Sequence, residues 1–167
     1  MIYGEDLLEL LADLQPSPYE GEVYRHMFGA IPPARENIVG ARWNPEELPT
    51  IYTSVEESTA AAEGDYRISM EPFRPKVGRR LHRIRVRLSS VIDLRDWAIL
   101  EKLGVKRETY LMAEPLRCKE VGGAVAHLGH DGLLVPSARS DGTSLVIYAN
   151  NKTSDYEFSL IDFSIVD

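Results

Sequence analysis

A few side chains in this sequence combine the chemistry needed to hold an anionic ligand. Arg25 and Arg42 carry guanidinium groups, which bind paired oxyanions in a fork. Tyr52 offers a ring for stacking, and Glu63 and Ser137 add a carboxylate and a hydroxyl. Each also has an ordinary structural alternative. Arg25 could form a structural ion pair, Glu63 could be a solvated helix residue, and Ser137 could cap the end of a strand.

The segment from residue 40 to residue 63 holds three of these positions close together. Gly40-Ala41-Arg42-Trp43-Asn44-Pro45 is typical of a loop, in which Trp43 needs a packing partner. Thr50-Ile51-Tyr52-Thr53 is rich in β-branched and aromatic residues and predicts a strand. Ser54-Val55-Glu56-Glu57 matches a capping box, which predicts a helix running through Glu63. Tyr52 is therefore expected on a strand and Glu63 on the helix that follows it.

The other predicted elements are mixed helices and strands. Leucines at helical spacing predict an amphipathic helix over Glu5–Leu14. A short strand over Gly21–Phe28 would carry Arg25, and a buried strand over Gly132–Val135 would end just before Ser137. Further elements are expected at Val91–Leu94, Trp97–Leu103, Pro115–Leu128, Ser144–Ala149 and Tyr156–Val166. Because these elements do not alternate as βαβ units, the sequence predicts an α+β fold with a largely antiparallel sheet and flanking helices.

Basic residues are concentrated in one segment of an otherwise acidic chain. Seven Lys and Arg residues fall between Arg74 and Arg87, and Arg83, Arg85 and Arg87 alternate with apolar residues. This alternation predicts a strand with three like charges on one face. The face is either solvated or a docking surface for phosphate groups or an acidic partner. We expect it to serve partners rather than catalysis, because folding alone gives no evident reason to align like charges.

Length and composition exclude several classes of protein. The chain has 167 residues and a formal charge of −7, and it fits a single domain. An acidic chain argues against direct nucleic-acid binding. No apolar run approaches the length of a membrane span, and the N-terminus lacks the features of a signal peptide. Cys118 is the one cysteine, so no internal disulfide forms. We therefore expect a cytoplasmic protein in which Cys118 is a buried, inert thiol.

The common nucleotide and metal motifs are missing from the sequence. It has no Gly-rich dinucleotide fingerprint, phosphate loop, paired-histidine zinc motif or hydrolase elbow. The four histidines are scattered, and His127 and His130 are the one pair that could share a helix face. We therefore expect no metal site.

Taken in order, the motifs resemble the RES domain family, the toxins of bacterial RES–Xre toxin–antitoxin modules. The matching segments cover about residues 21–150 and begin with Val23-Tyr24-Arg25 and the Arg-Trp-Asn-Pro loop. They continue through Ile51–Ser54, Ala60–Glu63 and Leu134–Ala138, leaving residues 1–18 as a helical extension. Two positions depart from the family pattern. Glu47 stands where glycine is common, and Ala149-Asn150-Asn151 replaces an Asn-Pro-like stop, which leaves Asn150 without an assigned role.

The resemblance implies an ADP-ribosyltransferase-like fold and cleavage of NAD+ at the nicotinamide–ribose bond. Glu63 would stabilise the positive charge on the ribose, and Arg25 and Arg42 would hold the pyrophosphate. Tyr52 would stack on the nicotinamide or ribose, with Trp43 beside it, and Ser137 would bind the same end of NAD+. The resemblance thus implies Glu63, Arg25 and Ser137 as catalytic residues, and a binding set of Arg25, Arg42, Trp43, Tyr52 and Ser137.

The resemblance also implies partners and leaves the acceptor open. NAD+ is the substrate, no other cofactor is expected, and inorganic phosphate or water would accept the ADP-ribose. The protein partner would be a helix-turn-helix antitoxin of the Xre type, and a homodimer is possible. Two alternatives remain open. The chain could be a mono-ADP-ribosyltransferase with a protein target, or a non-catalytic binding module using the basic segment 74–87.

Overall fold

The strands form a six-stranded sheet in the computed structural model, which describes residues 2–73, 76–112 and 116–166. The strands are β1 (Ser17–Phe28), β2 (Thr50–Ser54), β3 (Arg79–Asp93), β4 (Gly132–Pro136), β5 (Thr143–Tyr148) and β6 (Glu157–Val166). The helices are α1 (Glu5–Ala12), α2 (Glu57–Ser69), α3 (Trp97–Lys102) and α4 (Leu116–His127), with short 3-10 turns at Arg107–Thr109 and Ala149–Asn151. Pro115, the predicted first residue of the fourth helix, lies outside the described residues.

The sheet closes on itself through a pairing between distant strands. Its order is β1-β2-β5-β4-β3-β6, and β1 also pairs with β3. Five strands therefore form a ring, to which β6 is added along one edge of β3. Every pairing is antiparallel except that between β3 and β4. The predicted α+β class with a largely antiparallel sheet is confirmed.

Two apolar clusters hold the ring and its helices together. The first takes side chains from all five ring strands, as expected for the interior of the ring: Val23, Ile51, Ile84, Val86, Leu88, Val91, Leu134, Leu145 and Ile147. The second joins the outer side of β2, β4 and β5 to α1, α3 and α4. Adjacent residues of β5 alternate between the two, so Leu145 lies in the first cluster and Val146 in the second.

The N-terminal region is more closely integrated than the sequence predicted. Helix α1 ends at Ala12 rather than Leu14, and its Leu7 and Leu11 are buried in the second cluster. Strand β1 begins at Ser17, four residues before the predicted start, because residues 17–21 pair with the later part of β3. The helix is thus part of the main core, and the strand starts inside the region assigned to an extension.

The predicted basic strand and the strand after it are one element, β3. Alternation places Arg83, Arg85 and Arg87 on one face, as expected, but carboxylates of the neighbouring strands lie beside them. Arg83 pairs with Asp162 at 2.7 Å, and Glu20 bridges Arg85 and Arg87 at 2.9 and 3.0 Å. The expectation that folding gives no reason to align these charges is therefore wrong, because β1 and β6 neutralise them.

The capping box predicted for α2 does not form. Ser54 is the last residue of β2 and pairs with Ser144, so the helix begins later, with Glu56 at the N-cap position. The Glu56 side chain accepts hydrogen bonds from the Thr143 backbone N–H at 2.8 Å and the Thr59 hydroxyl at 3.1 Å. A contact between α2 and the start of β5 therefore fixes the position of the helix that carries Glu63.

Candidate active site

Glu63 and Ser137, which lie 74 positions apart, meet through a hydrogen bond. The Ser137 hydroxyl donates to Glu63 Oε1 at 3.1 Å. The hydroxyl oxygen of Ser137 in turn accepts the backbone N–H groups of Arg139 at 3.1 Å and Ser140 at 3.3 Å. Ser137 thus caps the turn after β4, which was its structural alternative, and also orients the Glu63 carboxylate.

Arg42 is held by main-chain carbonyls and by an aromatic ring. Its guanidinium donates to the carbonyls of Tyr110 and, at 3.3 Å, Met112. The guanidinium carbon lies 4.9 Å from the centre of the Tyr110 ring. No carboxylate within the described residues forms an ion pair with Arg42. Its orientation is therefore fixed while its charge stays available for an anion.

Tyr110 links the Arg42 side of the site to the Ser137 side. Its hydroxyl donates to the carbonyl of Pro136, the residue before Ser137, at 2.5 Å. Burial raises the pKa of Tyr110, and Arg42 and Glu63 are both close enough to act on it, with opposite signs. Tyr110 therefore contacts Arg42 directly, reaches the residue before Ser137, and lies within electrostatic range of Glu63.

Tyr52 braces the loop that carries Arg42. Its hydroxyl donates to Asn44 Oδ1 at 2.6 Å and accepts the Trp43 backbone N–H at 3.0 Å. Burial is the main cause of its raised pKa. The hydroxyl is occupied within the protein, so only the half-buried ring is left for contact with a ligand.

Trp43 is a core residue and does not line the site. Its side chain is only 2% exposed and packs against Tyr110, while its carbonyl accepts the Tyr148 hydroxyl at 3.0 Å. A side chain this buried cannot stack on a dinucleotide. The prediction that Trp43 contacts NAD+ is therefore wrong. The prediction that Trp43 needs a packing partner is confirmed, and that partner is Tyr110.

The structure also gives a reason for the glycine that is common in the family where this chain has Glu47. Glu47 adopts a positive φ of 68° in the loop before β2, a conformation that suits glycine. Asn150 is exposed in the 3-10 turn after β5. Its neighbour Asn151 does the structural work there, donating to the carbonyls of Ala126 and His130 at 2.7 and 2.8 Å.

Arg25 makes its hydrogen bonds with a loop, and none of them reaches another of the predicted site residues. Its guanidinium donates to the carbonyls of Pro33 and Arg35, at 2.5 and 2.7 Å. By strand alternation Arg25 shares a face with Val23, while α2 packs on the other face, where Gly64 meets the His26 ring. Burial, and secondarily the charge of Arg67, lowers the pKa of Arg25 to about 10. The observed partners of Arg25 lie in the 29–36 loop, and its predicted part in the Glu63 site stays a prediction.

Two further residues lie at the site although no sequence motif marks them, Tyr110 and Arg139. Tyr110 follows a 3-10 turn far from the motifs, and no local pattern marks it. Arg139 lies just after Ser137, with its guanidinium carbon 3.4 Å from the centre of the Tyr66 ring. Tyr66 is three residues after Glu63, and helical spacing places both on one side of α2. The position of Arg139, two residues after Ser137, could have marked it in the sequence. Its stacking on Tyr66 could not be predicted, because that contact joins distant parts of the chain.

The surroundings of Cys118 match the expected inert thiol. The side chain is fully buried, and burial raises its pKa to about 11 despite the nearby Arg42. A pocket of about 150 Å³ lies between Cys118, Tyr110 and the segment 104–109. This volume is below the range of ligand pockets. This pocket is therefore too small to enclose a dinucleotide.

No cluster of three or more potential metal ligands occurs among residues 2–73, 76–112 and 116–166. Over the same ranges, no helix has the length and apolar character needed to span a bilayer.

Comparisons with known proteins agree with this architecture. The family model described as RES domain matches residues 19–159. A search of curated protein sequences finds no significant match. Among solved structures, a chain of the M. tuberculosis MbcT–MbcA toxin–antitoxin complex superposes with a TM-score of 0.82 at 22% identity. The match covers 98% of this chain and 93% of the other, and it shows a shared fold.

Proposed function

Because the chain belongs to the RES domain family, we propose that it cleaves NAD+ at the nicotinamide–ribose bond and transfers ADP-ribose to phosphate or water. The observation that carries the proposal is the Glu63 carboxylate, fixed by Ser137 and close to the same tyrosine that holds Arg42. One carboxylate and one unpaired arginine at a single surface site suit a substrate with a reacting ribose and a pyrophosphate.

The chemistry needs an anion more than an acid. Nicotinamide in NAD+ is already cationic and leaves as a neutral base, so little protonation of the leaving group is required. The demanding step is formation of an oxocarbenium-like ribose, which a preorganised carboxylate stabilises. Glu63 supplies that charge, and the Ser137 hydroxyl holds the carboxylate in one orientation so that little reorganisation is needed.

The remaining residues bind and orient the dinucleotide. The Arg42 guanidinium binds the pyrophosphate oxygens, and two main-chain carbonyls already fix its orientation in the absence of ligand. The half-buried Tyr52 ring contacts the nicotinamide–ribose end, and Ser137 adds polar contact there. Arg139, stacked on Tyr66 beside Ser137, supplies a second positive charge.

The biological role follows from the family and from its structural neighbour. We propose that the chain is the toxin of a toxin–antitoxin pair acting in the cytoplasm, where NAD+ depletion would arrest growth. The neighbouring fold was solved as a toxin–antitoxin complex. A helix-turn-helix antitoxin of the Xre type would inhibit the enzyme by covering the surface between Arg42 and Glu63.

The direct test is an NAD+ cleavage assay with identification of the products by mass spectrometry. Wild type should release nicotinamide, and adding phosphate should convert the other product from ADP-ribose to its 1″-phosphate. Glu63→Gln keeps the side-chain shape and an oxygen that accepts from Ser137, but it removes the charge. We expect a loss of roughly 100-fold or more in turnover. Glu57→Gln, an exposed position in the first turn of α2, is the matched control and should retain full activity.

The outcomes separate the proposal from its alternatives. A mass gain on a protein with little free product would redirect the assignment to a mono-ADP-ribosyltransferase. No NAD+ loss from the folded wild-type chain would contradict enzymatic cleavage and favour a binding module. Equal turnover in Glu63→Gln and wild type would remove Glu63 from the mechanism.

A further inference from the structure

Arg139 brings a positive charge to the edge of the Glu63–Ser137 pair. Its backbone N–H donates to the Ser137 hydroxyl oxygen at 3.1 Å, and that hydroxyl donates to Glu63 Oε1 at 3.1 Å. Its guanidinium carbon lies 3.4 Å from the centre of the Tyr66 ring. Glu63 and Tyr66 are three residues apart on α2, a spacing that puts their β-carbons roughly 5–6 Å apart on one side of the helix. Arg139 therefore reaches the side of α2 that carries the proposed catalytic carboxylate.

The stacking on Tyr66 leaves the N–H groups of Arg139 available for a ligand. A guanidinium that rests on an aromatic face keeps its donors in its own plane, directed away from the ring. Over residues 2–73, 76–112 and 116–166, no ion pair or side-chain hydrogen bond involves this guanidinium. The half-buried side chain is thus oriented by the ring and retains its donors for an anion.

The turn that carries Arg139 is fixed at both ends and along its length. The Ser137 N–H donates to the Gly142 carbonyl at 2.9 Å, and the Gly142 N–H donates to the Ser140 hydroxyl oxygen at 3.0 Å. The Ser140 hydroxyl also lies 2.8 Å from the Thr59 hydroxyl of α2. A β-carbon at position 142 would overlap that Thr59 hydroxyl, so the close approach of turn and helix requires glycine there. Little ordering of the turn is therefore needed when Arg139 binds an anion.

The charge of Glu63 makes the choice of acceptor an electrostatic question. The carboxylate that stabilises a positive ribose repels a phosphate anion approaching the same carbon, whereas it does not repel neutral water. Phosphate can compete with water only if a cation beside the carboxylate offsets this repulsion. Given the proposed NAD+ cleavage, on which this inference rests, we propose that Arg139 binds the acceptor phosphate and so selects phosphate over water.

Two arginines reach the site from different elements, which allows them to hold different groups. Arg42 reaches it through Tyr110, whose hydroxyl donates to the carbonyl of Pro136, the residue before Ser137. Arg139 comes from the turn after Ser137 and rests on α2. Arg42 can thus bind the pyrophosphate of NAD+ while Arg139 binds a separate, inorganic phosphate.

The transfer step needs no other reactant. An oxygen of the hydrogen phosphate dianion donates an electron pair to C1″ of the ribose. The bond from C1″ to the nicotinamide nitrogen breaks, and its electron pair leaves with nicotinamide, which becomes neutral. The products are ADP-ribose 1″-phosphate and nicotinamide, and no proton is transferred. Arg139 donates to the phosphate oxygens that do not attack, which holds the nucleophile beside the carboxylate.

The test measures the ratio of ADP-ribose 1″-phosphate to ADP-ribose formed from NAD+ over a series of inorganic phosphate concentrations. A ratio of products is independent of total turnover, so a general loss of activity leaves it unchanged. Arg139→Gln should lower the ratio roughly 10-fold or more at each phosphate concentration, the equivalent of one charged hydrogen bond. Arg139→Lys keeps the charge and should give an intermediate ratio. Arg107→Gln is the matched control, because Arg107 also lies over an aromatic ring, that of Trp97, and should give the wild-type ratio.

A second measurement uses sulfate, which resembles phosphate in shape and charge. Sulfate should lower the wild-type ratio by competing for Arg139, and it should have much less effect on Arg139→Gln. The same ratio in Arg139→Gln and wild type would overturn the proposal. So would a wild-type chain that consumes NAD+ but releases only ADP-ribose at every phosphate concentration, an outcome that leaves NAD+ cleavage by water standing. No loss of NAD+ at all would contradict the proposed function itself, and this inference with it.

Discussion

Arg42 is oriented by groups that leave its charge uncompensated. Two main-chain carbonyls accept from the guanidinium and the Tyr110 ring lies beneath it, whereas Arg83, Arg85 and Arg87 are paired with carboxylates. In a chain with a net charge of −7, an arginine without a carboxylate partner is a ready site for an anion. The two carbonyls fix the orientation of the planar guanidinium group and do not neutralise its charge.

We expect Arg42→Lys to weaken NAD+ binding although the charge is kept. An ammonium cannot donate to two carbonyls and a pyrophosphate with the same planar geometry. KM should rise roughly 10-fold or more, the equivalent of one charged hydrogen bond, with a smaller change in kcat. Arg107→Lys is the control, because Arg107 also lies over an aromatic ring, that of Trp97, but outside the site. An unchanged KM would assign Arg42 a purely structural role.

The sequence identified much of the site because its residues lie in short motifs. Arg42, Tyr52 and Glu63 occur within 22 positions, so a loop, a strand and a helix bring them together locally. Tyr110 could not be found in this way, because its role arises from a long-range contact with Pro136. The hydrogen-bond partners of Arg25 could not be predicted for a related reason, because Pro33 and Arg35 belong to a loop that no motif marks.

At the scale of elements, helix α4 determines how closely the loop that carries Arg42 can pack against it. Gly122 lies against the carbonyl of Trp43, which also accepts the Tyr148 hydroxyl. A β-carbon at position 122 would come 1.9 Å from that carbonyl oxygen. The loop bearing Arg42 can therefore sit where it does only because α4 has no side chain at this position.

We expect Gly122→Ala to displace the loop and reduce both stability and activity. Alanine normally stabilises a helix interior by about 1 kcal/mol relative to glycine, so a net loss would identify the clash. Gly123→Ala is the matched control on the same helix. Its β-carbon would meet the Tyr3 hydroxyl, at 2.1 Å, and no atom of the Arg42 loop is among its nearest neighbours. Thermal unfolding and NAD+ turnover of both variants measure the difference, and full activity in Gly122→Ala would contradict this account.

Element types were predictable from the sequence, but their ends were set by tertiary contacts. The Asp96 cap of α3 forms as expected, with Ala98 N–H donating to its carboxylate at 2.9 Å. The capping box at Ser54 fails because β5 draws Ser54 into the strand. The two strands predicted within residues 83–94 merge because β1, β6 and β4 pair with β3 in succession along its length.

At the scale of the whole molecule, buried histidines tie stability to pH. His26 is 5% exposed, and its Nε2 accepts from Arg79 at 2.9 Å. Burial is the main cause that lowers the pKa of His26 to about 4, aided by Arg79 and Arg67 and opposed by Asp65. Burial also lowers the pKa of His82. Both rings are therefore neutral in the folded chain over a range where the unfolded chain binds protons.

The free energy of unfolding should fall as the pH drops from about 6.5 towards 4, because the unfolded state then binds more protons. His26 alone would account for about 2 kcal/mol between pH 7.5 and pH 5. Urea unfolding at these two pH values measures the loss. His26→Gln keeps an acceptor for Arg79 but does not titrate, so its loss should be smaller. Equal losses in wild type and variant would show that other groups cause the pH dependence.

The shortest pairing in the ring of strands is that between β1 and β2, and the helix that carries Glu63 packs beside it. Strands β1 and β2 are paired only through Tyr24 and Ser54, whereas β1 and β3 pair along nearly the whole of β1. Helix α2, which carries Glu63, contacts both β1 and β2 beside this pairing. Local opening should begin there, so amide hydrogens of β2 and early α2 should exchange faster than those of central β3.

Such breathing would separate Glu63 from Ser137 without unfolding the rest of the chain. NAD+ or an antitoxin bound across the β1–β2 pairing should first slow the exchange of amide hydrogens in β2 and early α2. Hydrogen–deuterium exchange measures this change. Uniform protection around the ring would contradict this expectation. If it holds, access of the carboxylate to its substrate is governed by a local opening equilibrium of the protein itself.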